Sequence, residues 1–173
     1  MENFESLGLC KALNTSLDKI GFKKPTPIQA QAIPLILDGK DLLGSASTGT
    51  GKTGAFAIPV IDKIITSDEG CALIVTPTRE LAKQVINVVR DLLGPSNSVK
   101  ACCLIGGEAI GKQLNQLKRK PRIIIGTPGR INDHLEKKSL SLKKATYLVL
   151  DETDRMLDMG FGIQIDQILK FMP

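Results

Sequence analysis

Short apolar runs rich in β-branched residues alternate along the chain with amphipathic stretches of helical period. The apolar runs are bounded by turn residues and predict buried strands at Asp41–Ala46, Cys71–Thr76, Val99–Ile105, Arg122–Gly126 and Thr146–Asp151. Helical stretches follow at Lys52–Thr66, Arg79–Leu93, Ala109–Leu117 and Gly129–Glu136. Strands that alternate with helices build a parallel sheet with helices on both faces. The pattern therefore predicts a doubly wound α/β fold.

Ahead of the first predicted strand, the sequence indicates an additional helical segment. Two stretches of helical pattern, Leu7–Ile20 and Ile28–Leu37, are separated by a turn that Pro25 and Pro27 enforce. We predict that residues 1–38 pack as an N-terminal segment on a core formed by residues 39–173. Ligands of parallel sheets bind beyond the carboxyl ends of the strands, so the loops that follow the predicted strands should share one edge.

Composition narrows the class of protein only modestly. The 173 residues suit one domain, and the formal net charge of +5 permits a polyanionic partner without requiring one. The apolar runs fall short of the roughly 20 residues that span a bilayer, so we expect no membrane partner and a soluble, cytoplasmic protein. We also expect the chain to be monomeric. A nuclear location stays open if the source is eukaryotic. The four cysteines have no metal-ligand spacing, and we expect reduced, mostly buried thiols.

Residues 46–53 read A-S-T-G-T-G-K-T between a predicted strand and a predicted helix, a context typical of a Walker A phosphate loop. Lys52 would reach the β and γ phosphates of ATP, and the Thr53 hydroxyl would bind Mg²⁺. Ala46 replaces the first glycine of the general pattern, and a merely flexible loop is the alternative. The nucleotide-binding residues predicted here are Ser47, Thr48, Gly49, Thr50, Gly51, Lys52 and Thr53.

A second predicted strand end carries two adjacent acids, Asp151 and Glu152, in a Walker B arrangement. Asp151 would hold Mg²⁺, in part through water, and Glu152 would orient or deprotonate the water that attacks the γ-phosphate. Acids after a strand can also serve only as helix N-caps. Together with the phosphate loop, the arrangement favours catalysis by Lys52, Asp151 and Glu152.

The acids belong to a D-E-T-D stretch, residues 151–154, that resembles the D-E-x-D box of the DEAD-box RNA helicases. Residues 155–161 continue the family pattern, and the resemblance extends over nearly the whole chain. Thr153 stands where the family has alanine, which leaves the effect on coupling open. The resemblance implies a RecA-like P-loop NTPase domain that uses ATP and Mg²⁺ and is the first domain of an RNA-dependent ATPase.

Gly21-Phe22 and residues 25–29, with Phe4 seventeen residues before Gly21, look like the family's Q motif. The Gln29 amide offers a donor and an acceptor that can read the N6 and N7 edge of adenine, and Phe22 offers a ring for stacking. The alternative is that Gln29 satisfies a helix start and Phe22 belongs to the core. The adenine-side residues of this segment are Phe22, Thr26 and Gln29.

Three further motifs resemble those with which DEAD-box proteins hold RNA by its sugars and phosphates. They are P-T-R-E-L-A at 77–82, the glycine doublet at 106–107 and T-P-G-R at 127–130. Helix starts offer N–H groups to phosphates, although each motif alone could be an ordinary helix start with a proline. The predicted contacts to single-stranded or duplex RNA are Pro77, Thr78, Arg79, Gly106, Gly107, Thr127, Pro128, Gly129 and Arg130.

For the remaining basic stretches and for His134, we expect structural roles or exposure to solvent. The basic stretches at 118–120, 137–138 and 143–144 could extend a phosphate-binding surface, but solvated helix ends are the expectation we adopt. His134 has no acid or cysteine at a ligand-like spacing, so we expect a partly exposed structural residue without a metal role.

The family's S-A-T motif and second RecA-like domain, with its arginine fingers, do not occur in the sequence. An arginine finger contributes roughly 10³ to 10⁵ in rate to phosphoryl transfer, so we expect the isolated chain to bind ATP weakly and turn over little. The second domain of the same parent chain would be its partner. Two alternatives stay open: a nucleotide-responsive binding module without hydrolysis, and a DNA-directed helicase or translocase.

Overall fold

Four strands between Cys71 and Leu150 form a parallel sheet. The computed structural model describes residues 3–44, 51–95 and 98–173. Within them, strands pair in the order β2-β3-β1-β4, and every pair is parallel. The strands are β1 (Cys71–Val75), β2 (Ala101–Leu104), β3 (Ile123–Gly126) and β4 (Ala145–Leu150). The predicted α/β class with a parallel sheet is therefore confirmed.

Helices alternate with these strands along the chain. They are α1 (Lys11–Lys19), α2 (Pro27–Leu37), α3 (Lys52–Ile65), α4 (Arg79–Leu93), α5 (Ile110–Lys118), α6 (Pro128–Glu136), α7 (Thr153–Asp158) and α8 (Gly162–Lys170), after a 3-10 turn at Phe4–Leu7. The predicted helix at Leu7–Ile20 starts later, because Gly8 adopts φ +80° and ends the 3-10 turn. Helices α7 and α8 were not predicted. No helix of the described residues has the length and apolar character to cross a membrane.

The prediction of a strand at Asp41–Ala46 is wrong for residues 41–44, which form no strand. The Leu42 and Leu43 side chains are 43% and 98% exposed, so neither supplies the burial that a core strand requires. Only these two apolar residues precede Gly44, which gives the segment little surface to bury. Residues 45 and 46 lie outside the described part of the chain.

The chain divides into two compact units, one with residues 1–68 and 87–97 and one with residues 69–86 and 98–173. In the first unit, α2 packs on α3, and Ile33 and Ile58 are fully buried. The Asp62 carboxylate accepts a hydrogen bond of 2.7 Å from the Cys10 N–H in the same unit. The predicted packing of residues 1–38 as an N-terminal segment on a core of residues 39–173 stays a prediction.

In the second unit, β1 is buried along its whole length, as expected for a strand covered on both faces. On one face Leu73 and Val75 belong to a core that α6 and α8 complete through Ile131 and Ile168. The side chains of Cys71, Cys102 and Cys103 are buried and that of Cys10 is partly buried, as predicted. The sheet thus supports the loops at its ends through a buried core.

Candidate nucleotide and nucleic-acid site

The loops that carry the sequence motifs of the second unit meet at one edge of the sheet. The Asp151 N–H donates to the Val75 carbonyl at 2.9 Å, and the Thr127 N–H donates to the Leu104 carbonyl at 3.1 Å. These bonds join the carboxyl ends of β4 and β1 and of β3 and β2. The prediction that the motif loops share the carboxyl edge is confirmed for the described strands, and we call this the motif edge.

At the end of β1, the P-T-R-E-L-A segment starts α4 and approaches the glycine doublet. The Thr78 Oγ1 accepts from the Leu81 N–H at 3.1 Å, which caps the helix. The exposed Arg79 donates from Nη1 to the Gly106 carbonyl at 3.3 Å. Gly107 has φ +77°, and a Cβ added there would overlap Arg79 Nη1. The second glycine of the doublet therefore lets the arginine lie across the loop.

The T-P-G-R segment starts α6 at the end of β3. Pro128 occupies the first helical turn, where its missing N–H is not needed, and both Pro128 and Pro77 are buried. The Thr127 side chain makes no capping hydrogen bond. Gly129 is exposed, with no atom within 4 Å of an added Cβ. The start of α6 thus presents a hydroxyl and backbone N–H groups without a side chain in front of them.

Arg130 points towards the protein and not towards solvent. Its side chain is only 14% exposed, and its Nε lies 3.7 Å from the Asp133 carboxylate. Its Nη1 donates to the Glu108 carbonyl at 3.3 Å and to the Gln113 Oε1 at 3.2 Å. The structure therefore assigns Arg130 a bracing role between α6 and the loop after β2, and its direct contact with RNA stays a prediction.

A buried polar network lies behind this brace. His134 Nε2 is 2.7 Å from Gln113 Oε1, and His134 Nδ1 is 2.8 Å from Ser139 Oγ. The Gln113 Nε2 donates to the Ile105 carbonyl at 2.8 Å. The Ile105 carbonyl can only accept and Arg130 can only donate, so the Gln113 amide must place its nitrogen towards Ile105 and its oxygen towards Arg130. Because that oxygen can only accept, the His134 Nε2 beside it must carry a proton. His134 and Gln113 are both 0% exposed, so the prediction of a partly exposed His134 was wrong.

The His134 environment favours the neutral imidazole. Burial lowers the pKa of His134, and the charges of Arg130 and Lys137 lower it further, whereas Asp133 acts in the opposite direction. Gln113 was missed by the sequence analysis. Its signal was a polar residue on the apolar face of α5, three residues after Ile110 and four before Leu117.

The D-E-T-D segment follows β4. Asp151 is 4% exposed, and the Glu152 side chain lies 3.5 Å from Arg155 Nη1. Glu152 has φ +53°, a left-handed conformation that costs a residue with a side chain about 1 to 3 kcal/mol and often occurs at functional sites. The Thr153 Oγ1 donates to the Leu150 carbonyl at 3.1 Å. The hydroxyl that distinguishes Thr153 from alanine is thus used within the turn.

In the first unit, Gln29 links the starts of two helices. It forms a capping box with Thr26, whose N–H donates to Gln29 Oε1 at 3.0 Å. The Gln29 Nε2 donates to the Gly51 carbonyl at 3.0 Å, and a Cβ added at Gly51 or Gly54 would lie 2.6 Å from this nitrogen. The helix-start role of Gln29 is therefore confirmed. One N–H and one lone pair of the amide stay available, so contact with adenine stays a prediction.

Phe22 packs against a second aromatic ring. The centroids of Phe22 and Phe4 are 6.1 Å apart with an interplanar angle of 32°. Phe4 is 3% exposed and Phe22 is partly exposed. The buried ring supports the outer one, so Phe22 has a structural contact and an accessible part.

Of the predicted phosphate loop, Ser47, Thr48, Gly49 and Thr50 lie outside the described residues. Gly51 has φ +82° and precedes α3, whose first turn contains Lys52 and Thr53. Among the described residues, no side chain caps this helix, and N–H groups at a helix start suit a phosphate. Mg²⁺ with bound phosphates needs few protein ligands, and the Thr53 hydroxyl and Asp151 carboxylate are suitable donors. The described residues contain no cluster of three or more His, Cys, Asp or Glu side chains that could hold a metal alone.

Comparison with known proteins gives consistent matches. A family model described as DEAD/DEAH box helicase matches residues 26–173. The chain is 48% identical over 174 residues to the ATP-dependent rRNA helicase RRP3 of Candida albicans, covering 99% of this chain and 32% of that protein. The corresponding values for the protein of that name from Saccharomyces cerevisiae strain S288c are 47%, 99% and 34%.

A solved structure also resembles this chain closely. The crystal structure of a DEAD box protein from the hyperthermophile Methanococcus jannaschii matches with a TM-score of 0.91 and 42% identity. The match covers 99% of this chain and 47% of that one. The chain spans about a third of the length of the curated relatives that it matches.

Proposed function

Because the chain belongs to the DEAD/DEAH box helicase family, we propose that it is the ATP-binding domain of an ATP-dependent RNA helicase. The parent protein would hydrolyse ATP when RNA is bound and would separate short RNA duplexes locally. The observation that carries this proposal is the convergence of four motif loops at the carboxyl ends of β1 to β4. A binding cleft at that edge is what parallel α/β sheets provide.

On the nucleotide side, the first turn of α3 and Lys52 bind the phosphates, and the Thr53 hydroxyl binds Mg²⁺. Gln29 and Phe22 select adenine through the free amide groups and the accessible part of the ring. When bound, ATP with Mg²⁺ supplies the transferable phosphoryl group. Asp151 holds the metal ion through water, and Glu152 orients the attacking water, since such catalysis depends on positioning and charge neutralisation.

On the RNA side, the starts of α4 and α6 bind phosphates and sugars. The exposed Arg79, the uncapped Thr127 hydroxyl and the open backbone at Gly129 are the groups available for this contact. None of them reads bases, so binding is independent of sequence. The choice of RNA over DNA rests on the family and on relatives named as rRNA helicases.

Turnover requires more than this chain. The second RecA-like domain of the parent would close on ATP and RNA and supply arginine fingers, so the isolated chain binds ATP weakly and hydrolyses it slowly. A cytoplasmic location stays a prediction from the sequence.

Steady-state ATP hydrolysis by the parent protein, with and without single-stranded RNA, tests the proposal. We expect RNA to stimulate hydrolysis in the parent, but neither in this chain alone nor in a parent with Glu152→Gln. Single-stranded DNA of the same length is the control for RNA preference. ATP binding without hydrolysis in every form would favour a nucleotide-responsive binding module, and equal stimulation by DNA would favour a DNA-directed enzyme.

A further inference from the structure

The amino ends of the strands form the opposite edge of the sheet in the second unit, and basic residues stand at their starts. The Arg122 N–H donates to the Lys100 carbonyl at 3.0 Å, which joins the starts of β3 and β2. The Cys71 N–H donates to the Lys144 carbonyl at 3.0 Å, which joins the starts of β1 and β4. Residues far apart in the sequence thus become neighbours across the sheet.

Two helices end at the same edge. A helix that connects parallel strands runs back to the starts of the strands, so the carboxyl ends of α5 and α6 lie there. Lys118, Arg119 and Lys120 surround the end of α5, and Lys137 and Lys138 follow α6, all of them exposed. The basic edge consists of Lys100, Lys118, Arg119, Lys120, Arg122, Lys137, Lys138, Lys143 and Lys144.

The basic edge accounts for all of the net positive charge of the chain. Within the second unit, the segments that carry these nine basic residues contribute two acids, Glu69 and Glu136, which leaves an excess of seven positive charges. The formal net charge of the whole chain is +5, so the remaining residues carry a net charge of −2. This edge therefore supplies a positive field that attracts polyanions.

Favourable interactions with helix dipoles account for only some of the residues of the basic edge. Basic residues near the end of a helix interact well with its dipole, which covers the residues after α5 and α6. Lys100, Lys143 and Lys144 precede strands and have no such role. In addition, Lys120 and Lys138 adopt φ values of 55° and 60°, just after a helix end, where glycine is usual. Charge is thus present at two positions whose backbone favours glycine.

We propose that the basic edge is a second RNA-binding surface, which contacts phosphates of RNA that extends beyond the motif edge. The class of partner rests on the proposed function, whereas the position of the surface does not. Strands of four to six residues separate the two edges, a distance of about 13 to 20 Å at 3.3 Å per residue. An RNA whose nucleotides are all held at the motif edge leaves the basic edge free, and a longer RNA can extend across this distance to it.

A charge-neutralising variant tests this proposal. The fourfold replacement Lys118→Gln, Lys120→Gln, Lys143→Gln and Lys144→Gln removes exposed charges and leaves Arg122, which holds the Gly70 and Glu69 carbonyls. The matched control neutralises four exposed lysines elsewhere, Lys11, Lys19, Lys40 and Lys170. Both variants of this 173-residue chain carry the same change in net charge, and thermal melting checks that both are folded.

Affinity is measured for RNA of about 6 and about 30 nucleotides across a salt series; the shorter RNA lies within common single-strand site sizes of about 4 to 16 nucleotides and the longer one exceeds them. We expect the basic-edge variant to bind the longer RNA at least tenfold more weakly, with the slope of log K against log salt reduced by about 0.7 for each lost phosphate contact. Binding of the shorter RNA stays unchanged, and the control variant binds both RNAs as the original chain does.

Three outcomes overturn the proposal: an equal loss in both variants, an unchanged affinity of the basic-edge variant for the longer RNA, and no measurable binding of the longer RNA by the original chain. The proposed function is judged separately with Thr127→Ala, which should weaken binding of the shorter RNA. If Thr127→Ala has no effect while the basic-edge variant loses the longer RNA, the motif-edge assignment fails and the second surface stands.

Discussion

The imidazole of His134 and the side-chain amide of Gln113 lie in contact inside the protein, with 2.7 Å between Nε2 and Oε1. The histidine belongs to α6 and the glutamine to α5, so this bond joins the two helices that follow the motif loops of β3 and β2. The same Gln113 oxygen accepts from Arg130, and the Gln113 nitrogen holds the Ile105 carbonyl. Local changes at this pair should therefore affect both loops.

Replacement of His134 by alanine should lower the free energy of unfolding by about 2 to 3 kcal/mol, since it removes a buried hydrogen bond and leaves a cavity. Urea unfolding followed by circular dichroism measures the change. Glu136→Ala, an exposed position on the same helix, is the control and should alter stability by less than about 0.5 kcal/mol. Equal stability of the His134→Ala variant and the original chain would contradict the importance of the network.

The lowered pKa of His134 predicts a specific dependence of stability on pH. The unfolded state binds the proton below its ordinary pKa of about 6.5, whereas the folded state resists protonation until a lower pH, so stability falls as the pH drops below that value. Above it, the His134 contribution is fully present. We expect His134→Gln, which cannot titrate, to show a shallower loss of stability between pH 7 and 5. Urea midpoints at several pH values measure this difference, and parallel curves for the two proteins would refute it.

Arg79 and Arg130 should respond differently to the same replacement by glutamine. Arg79 is exposed, so its loss should weaken RNA binding and reduce the salt slope by about 0.7 with little change in stability. Arg130 is largely buried, so its loss should lower the free energy of unfolding by about 1 to 3 kcal/mol, because the Gln113 and Glu108 oxygens lose a donor. Salt-dependent RNA titrations and urea unfolding of both variants separate the roles. A lower salt slope for Arg130→Gln without a loss of stability would instead make Arg130 a direct phosphate ligand.

Gly107→Ala should destabilise the loop after β2. The residue has φ +77°, and a Cβ there would displace the Arg79 guanidinium. We expect a loss of about 1 to 3 kcal/mol in the free energy of unfolding, measured by urea titration. Gly129→Ala is the matched control, since an added Cβ at that position meets no atom within 4 Å and alanine favours the helix. If the two replacements lower the free energy of unfolding by the same amount, the backbone conformation of Gly107 does not contribute to stability.

Features that depend on neighbouring residues in the sequence were predictable. The apolar runs of β1 and β3 identify buried strands, and Pro128 after Thr127 identifies the start of α6, because these signals need only local propensity and burial. The bounds of α4 agree with the prediction, and the capping box of Thr26 and Gln29 is a local arrangement of the same kind. The strand predicted at Asp41–Ala46 failed for residues 41–44, because local hydrophobicity cannot establish whether a short run finds a surface to cover.

By itself, the sequence determined the class of fold, the family, and the position along the chain of the A-S-T-G-T-G-K-T and D-E-T-D motifs. Only the tertiary structure decided that Arg130 turns inwards, that His134 is buried against Gln113, and that three separate basic stretches lie at one edge. Hydrogen-bond partners and electrostatic fields depend on distances between residues that are far apart in the chain. Those distances are set by the parallel pairing of the strands and by the packing of the helices that connect them.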